Sequence, residues 1–147
     1  MRNSACRLEN LVFQTPLGWV GVAVSERGIY KIVLPKKTKN AVQFDLWMVQ
    51  QGDHFESNNI KRLPHKLLDK ASVLLRKYFS GECVSFDLPL DLRYYTPFQQ
   101  AVWLTVSTIP YGETRTYAWI ARKIKHPYAF RAVGQANGAN PIPIIIP

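Results

Sequence analysis

The chain has 147 residues, 47% of them apolar, enough to bury one good core or two small cores sharing an interface. It holds no run of about 18 apolar residues that could span a membrane, and its first residues, MRNSACRLEN, lack the apolar segment of a secretory signal, so a cytoplasmic protein is expected. Nineteen Lys and Arg against ten Asp and Glu leave a formal charge of +9, which suits a polyanion such as nucleic acid but also fits a merely basic soluble protein.

Residues 8 to 34 read as a three-stranded antiparallel meander. Val20, Val22 and Val24 alternate with small or polar neighbours, and Tyr30, Ile32 and Leu34 alternate after them. Pro16-Leu17-Gly18 marks the first turn, and Glu26-Arg27-Gly28 predicts a tight hairpin with Gly28 at positive φ. From Pro35 to about Asn59 the pattern fades into a polar, irregular stretch with an apolar patch at Phe44, Leu46 and Trp47. Pro64 then opens a helix in which Leu67, Leu68, Ala71, Leu74, Leu75, Tyr78 and Phe79 recur at helical steps, with Gly81 as its stop. That stripe is expected across one face of the sheet. Phe86 to Leu90 is a short extended piece, and a boundary near Arg93 divides the chain into domains 1–92 and 93–147.

Beyond that boundary, Thr96-Pro97 is a cap with proline in the first helical position. Phe98, Val102, Val106 and Ile109 form the expected buried edge of the helix, which Pro110-Tyr111-Gly112 ends. Thr116 caps a second helix from Tyr117 to about Lys125, broken at His126-Pro127. A third runs to about Asn137, with Gly138 as its C-terminal stop. Two short helices joined by a tight turn, behind a longer supporting helix, make a helix-turn-helix arrangement.

The third helix contains Ala129, Arg131, Ala132, Val133, Gly134, Gln135 and Ala136. Small side chains permit close approach to a partner, and that closeness would offset the roughly 1 kcal/mol that Gly134 costs relative to Ala. Either the helix lies in a DNA groove with Arg131 inserted, or it packs tightly on another helix with Arg131 in a surface ion pair. The composition alone favours packing, while the basic set Arg115, Arg122, Lys123 and Lys125 shifts the balance towards DNA. The last segment, Asn140-Pro141-Ile142-Pro143-Ile144-Ile145-Ile146-Pro147, carries four isoleucines and is expected to be a buried strand at a cut end. Cys6 and Cys83 lie far apart without a CxxC and read as free thiols; His54, His65 and His126 are scattered, and no metal site is expected.

Pro110-Tyr111-Gly112-Glu113-Thr114, Thr116-Tyr117, Arg131-Ala132-Val133-Gly134 and the stretch from Asn140 to Pro147 together resemble the alkylguanine–DNA alkyltransferases, also called methylated-DNA–protein-cysteine methyltransferases. The likeness runs without a gap from about Thr96 to Pro147, and more loosely through Thr15-Pro16-Leu17-Gly18, the meander and the single helix. It implies a ribonuclease H-like α/β domain, a three-stranded sheet plus a helix, followed by a helix-turn-helix, winged-helix-like DNA-binding domain incomplete at its C-terminus. The implied activity is irreversible transfer of an alkyl group from the exocyclic oxygen of guanine to a cysteine expected immediately after Pro147, within Pro-Cys-His-Arg. The 147-residue chain, without that cysteine, is then expected to be inactive.

The resemblance also assigns roles. An alkylated base must leave the stack to be reached. Tyr117 corresponds to the tyrosine that helps turn the nucleotide, and Arg131 to the arginine that fills the vacated place from the minor groove. Ala132, Gly134 and Gln135 belong to the same DNA-facing helix. Asn140 matches the asparagine that ties the recognition helix to the active-site strand, Pro143 matches a proline lining the base pocket, and Pro147, the first member of Pro-Cys-His-Arg, is grouped with this pocket and hinge. The implied partner is double-stranded DNA carrying alkylated guanine, bound by a monomer without a cofactor. Some relatives hold a structural zinc in the first domain; Ser25 and Tyr30 occupy the aligned positions, so no zinc is expected. Two other readings compete. Alkyltransferase-like proteins bind lesions without a nucleophile but usually lack the α/β domain, and a helix-turn-helix regulator would not explain the Asn-Pro-Ile-Pro tail.

Overall fold

Valine-rich alternation builds the sheet at the start of a computed structural model that describes residues 8–51 and 65–147. The expectations for Cys6, His54, Pro64 and the His65 side chain lie outside the described residues. Strands β1 (Glu9–Thr15), β2 (Gly18–Val24) and β3 (Ile29–Lys36) form an antiparallel sheet in the order β1-β2-β3. Phe13 pairs with Val20 and Val22 with Ile32, while Val12 pairs with Gly21 and Gly21 with Val33, so the two faces carry separate apolar sets. The chain divides into two compact units, one ending at Asp91 and the other running from Leu92 to Pro147.

Two helices pack on the sheet of the first unit. Helix α2 (His65–Phe79) packs on β1 and β2, with Leu68, Ala71 and Leu75 buried. Arg76 fastens it to β1: the guanidinium donates to the Gln14 carbonyl at 2.8 Å and lies over the Phe13 ring. The left-handed Gly81, at φ 87°, follows its end. The second helix corrects the sequence reading, since residues 39–50 form α1 (Lys39–Gln50) where an irregular stretch was expected. Thr38 caps α1 by accepting from the Ala41 N–H, and Val42 and Leu46, one turn apart, pack with Ala23 and Val33. The signal was blurred because Phe44, Trp47 and Met48 stay exposed on the same helix, so its apolar residues do not form one stripe. Gly21 lets α1 approach: a Cβ there would stand 2.6 Å from Val42 Cγ1.

The β2–β3 turn also differs from expectation. Ser25 N–H donates to the Gly28 carbonyl, but Gly28 is not among the residues at positive φ. Its small size answers to packing instead. A Cβ on Gly28 would lie 2.4 Å from the Pro89 carbonyl oxygen, because residues 89–91 run beside the start of β3. Ile29 N–H donates to the Pro89 carbonyl and Asp91 N–H to the Ile29 carbonyl, both at 2.8 Å. The buried Asp91 carboxylate accepts from the Ser25 hydroxyl, whose oxygen accepts in turn from the Arg27 N–H. Gly28→Ala is therefore expected to lower stability by about 1–3 kcal/mol. Urea denaturation checks this, and an unchanged midpoint would show that the 89–91 segment yields freely.

Candidate nucleic-acid interface

The second unit is organised by α3 (Pro97–Val106), whose N-terminus is closed on both sides. Thr96 Oγ1 accepts from the Gln99 N–H and the Gln99 side chain accepts from the Thr96 N–H, a capping box with Pro97 in the first turn. Val102 and Val106 are buried, as is Trp103, which the sequence reading passed over. Phe98 and Ile109, expected on that buried edge, are only half-buried. Trp103 is fully buried; its indole N–H donates 2.8 Å to the Ala136 carbonyl, and Tyr95 packs edge-on against its ring. A buried indole needs an acceptor for its one polar atom, and α5 (Phe130–Gly138) supplies it.

Helix α4 (Tyr117–Lys123) begins at Thr116, which accepts from the Trp119 N–H. It ends two residues earlier than expected, and Lys125 adopts the left-handed region at φ 63°. Ile120 and Ala121 are buried, while Tyr117 is half exposed and lies against α5. A Cβ at Gly134 would stand 3.1 Å from Tyr117 Cε2, so the glycine makes room for that ring within the unit. Gly138 is the last residue of α5 and not a left-handed stop; Ala139 caps the helix at φ −92°.

One side of α5 is thereby fixed and the other left open. Val133 and Ala136 are buried, Ala132 and Gly134 half-buried, and Arg131 and Gln135 exposed. Arg131 pairs with no carboxylate among the described residues, and the sequence has no Asp or Glu after Glu113. Glu113 itself is ion-paired with Arg115. From Leu92 to Pro147 six basic residues face this single acid, a net +5. No side chain caps the first turn of α5.

The tail corrects another expectation: it is a tight turn and not a strand. Pro141 and Pro143 cannot donate to a ladder, and Ile144 sits at φ 77°, a costly conformation for a β-branched residue. Asn140 holds the turn from inside. Its Nδ2 donates 2.8 Å to the Ile146 carbonyl while its Oδ1 accepts from the Ile142 N–H at 2.9 Å. The Ile146 N–H returns to the Ile142 carbonyl, and both isoleucines are fully buried. Pro143 is half-buried beside Ile146, and Pro147 is exposed. Tyr117 and Gly134 thus meet directly, Arg131 projects from the same helix as Gly134, and Asn140 and Pro143 share the turn that follows. Near α3 and α4 a separate groove of about 520 Å³ contains none of these residues; Thr105, Thr108, Arg115, Trp119 and Lys123 line it. Cys83 is an exposed free thiol after α2, in the first unit.

Two family models match the chain in order. Residues 11–92 match the ribonuclease-like domain of 6-O-methylguanine DNA methyltransferase, and residues 97–147 match its DNA binding domain. The chain belongs to the 6-O-methylguanine DNA methyltransferase family. It is 40% identical over 139 residues to the constitutive methylated-DNA–protein-cysteine methyltransferase of Bacillus subtilis, covering 91% of this chain and 74% of that one. The methylated-DNA–protein-cysteine methyltransferase of Methanosarcina acetivorans is likewise 40% identical over 136 residues, 92% of this chain and 78% of its own. Among solved structures, the Mycobacterium tuberculosis O6-methylguanine methyltransferase superposes with a TM-score of 0.69 at 36% identity, over 95% of this chain and 75% of that one. The same organism's OGT in complex with DNA gives 0.66 at 35% identity, over 96% and 74% of the two chains. The α/β unit and the helical DNA-binding unit of this family are those described above.

Asn140→Ala would remove both side-chain bonds of the tail turn and leave the Ile142 N–H and Ile146 carbonyl without their partners. Hydrogen exchange at the Ile142 and Ile146 amides is expected to accelerate at least tenfold, the equivalent of about 1.4 kcal/mol. Unchanged exchange would mean that the buried isoleucines hold the turn alone.

Proposed function

We propose that the protein repairs alkylated guanine in double-stranded DNA by direct reversal. The chemistry is one displacement: a cysteine thiolate bonds to the alkyl carbon as the carbon–oxygen bond breaks, and the guanine oxygen keeps the electron pair before the base takes up a proton. The sulfur remains alkylated, so each molecule reacts once and needs no cofactor. The acceptor is the cysteine that the family resemblance puts directly after Pro147. Cys83 is a poor candidate because it lies outside residues 97–147, which match the DNA-binding model.

The observation that carries this reading is an exposed Arg131 without a carboxylate partner, on a helix whose other side is locked by Trp103 and Tyr117. A rigid helix offering one long cation among small side chains suits insertion into a groove. In this proposal α5 enters the minor groove, Arg131 fills the place of the extruded nucleotide, Tyr117 crowds its phosphate, and Ala132, Gly134 and Gln135 complete the approach. Asn140, Pro143 and Pro147 shape the base pocket. The protein acts as a monomer in the cytoplasm.

Two outcomes are expected. Exposed to duplex DNA containing O6-methylguanine, the 147-residue chain should gain no methyl group at Cys83 by mass spectrometry, whereas the chain extended through Cys-His-Arg should gain one at the new cysteine; methylation of Cys83 would contradict the assignment. In the extended protein, Arg131→Ala should slow repair of duplex DNA at least tenfold more than reaction with the free alkylated base, and equal losses would remove the insertion role.

A further inference from the structure

We propose that Tyr128, together with Phe130 two positions on, is an apolar contact to duplex DNA that packs on sugars and base edges flanking Arg131. The inference rests on the reading of α5 as the DNA-facing helix and adds a residue which that reading does not use.

The turn between α4 and α5 is a built structure. Its four residues, His126 to Ala129, are closed by the Ala129 N–H donating 2.9 Å to the His126 carbonyl, with Pro127 in the second position, which suits its fixed φ. The His126 N–H donates 2.9 Å to the Ala121 carbonyl at the end of α4, and the His126 ring packs edge-on against Phe98 of α3. Lys125 takes the left-handed conformation that lets the chain reverse here. Tyr128 is the third residue of this fastened turn, one step from the N-cap of α5.

Its side chain is 92% exposed, the highest value among the exposed large hydrophobic residues described, and Phe130 is 47% exposed. A ring so exposed contributes nothing to the core, and an aromatic displayed on a fixed turn, with a second half-exposed one at the first position of α5, calls for a partner. Charge selects which partner. Lys125 and Arg131 flank the pair, and no acid occurs between residues 114 and 147. The surface therefore fits a polyanion that also presents planar and apolar edges, which is nucleic acid. A tyrosine on a preset turn loses little freedom on binding, so the contact adds affinity at a small ordering cost.

The test is fluorescence anisotropy of a labelled duplex containing O6-methylguanine, titrated across a salt series with the wild-type chain, Tyr128→Ala, Tyr128→Trp and Lys125→Gln. Tyr128→Ala is expected to weaken binding about tenfold at every salt concentration, as loss of a buried apolar contact does, with the slope of log affinity against log salt unchanged. Tyr128→Trp should retain wild-type affinity, and Lys125→Gln should reduce the slope by about one phosphate contact. Thermal unfolding of Tyr128→Ala should match the wild type. Wild-type binding with undiminished affinity in Tyr128→Ala, or a changed salt slope in that variant, would overturn the inference and leave the α5 reading intact. Failure of the wild-type chain to bind the duplex would instead overturn the α5 reading and this inference with it.

Discussion

The bond from the Trp103 indole to the Ala136 carbonyl is the constraint on which the DNA-binding unit depends. Trp103 is fully buried, so its N–H has no solvent to turn to, and its acceptor lies on the helix that carries Arg131. The capping box at Thr96 starts α3 at a defined residue, and so sets where Trp103 falls. With α3 holding α5 at Ala136 and Tyr117 filling the space beside Gly134, the helix keeps its exposed side free of internal obligations. Small residues on α5 thus serve internal packing as well as any approach to DNA: Gly134 is small because Tyr117 is there.

A similar economy governs the tail. Two prolines remove the donors a strand would need, and Asn140 replaces them with a donor and an acceptor from one side chain. The turn buries Ile142 and Ile146 while holding Ile144 in a left-handed conformation that only a well-braced segment sustains. Strain of this sort, next to residues proposed to shape a base pocket, fits a segment selected for position over comfort.

Much of this was legible in the residues. The meander, the α2 stripe and the caps at Thr96 and Thr116 follow from local rules, because strand alternation, helical spacing and capping are properties of near neighbours. Helix α1 was not legible because exposed Phe44, Trp47 and Met48 interrupt the amphipathic pattern, although Thr38 followed by Val42 and Leu46 was a usable signal. Gly28 was misread for a related reason: its size answers to Pro89, sixty-one positions away in sequence, which no turn rule can see. The tail was misread as a strand because isoleucine content outweighed the two prolines. Of the proposed site, the family resemblance implied Tyr117, Arg131, Asn140 and Pro143, while Trp103 and Tyr128 emerged only from burial and exposure.

The most direct measurement is the fluorescence of 2-aminopurine placed beside O6-methylguanine in a duplex as the protein is added. If the chain extracts the alkylated nucleotide from the stack, the neighbouring probe unstacks and its fluorescence rises with the lesion duplex but not with an undamaged one. Saturable binding without any lesion-dependent rise would contradict extrusion and reduce the helical unit to a non-specific DNA-binding surface.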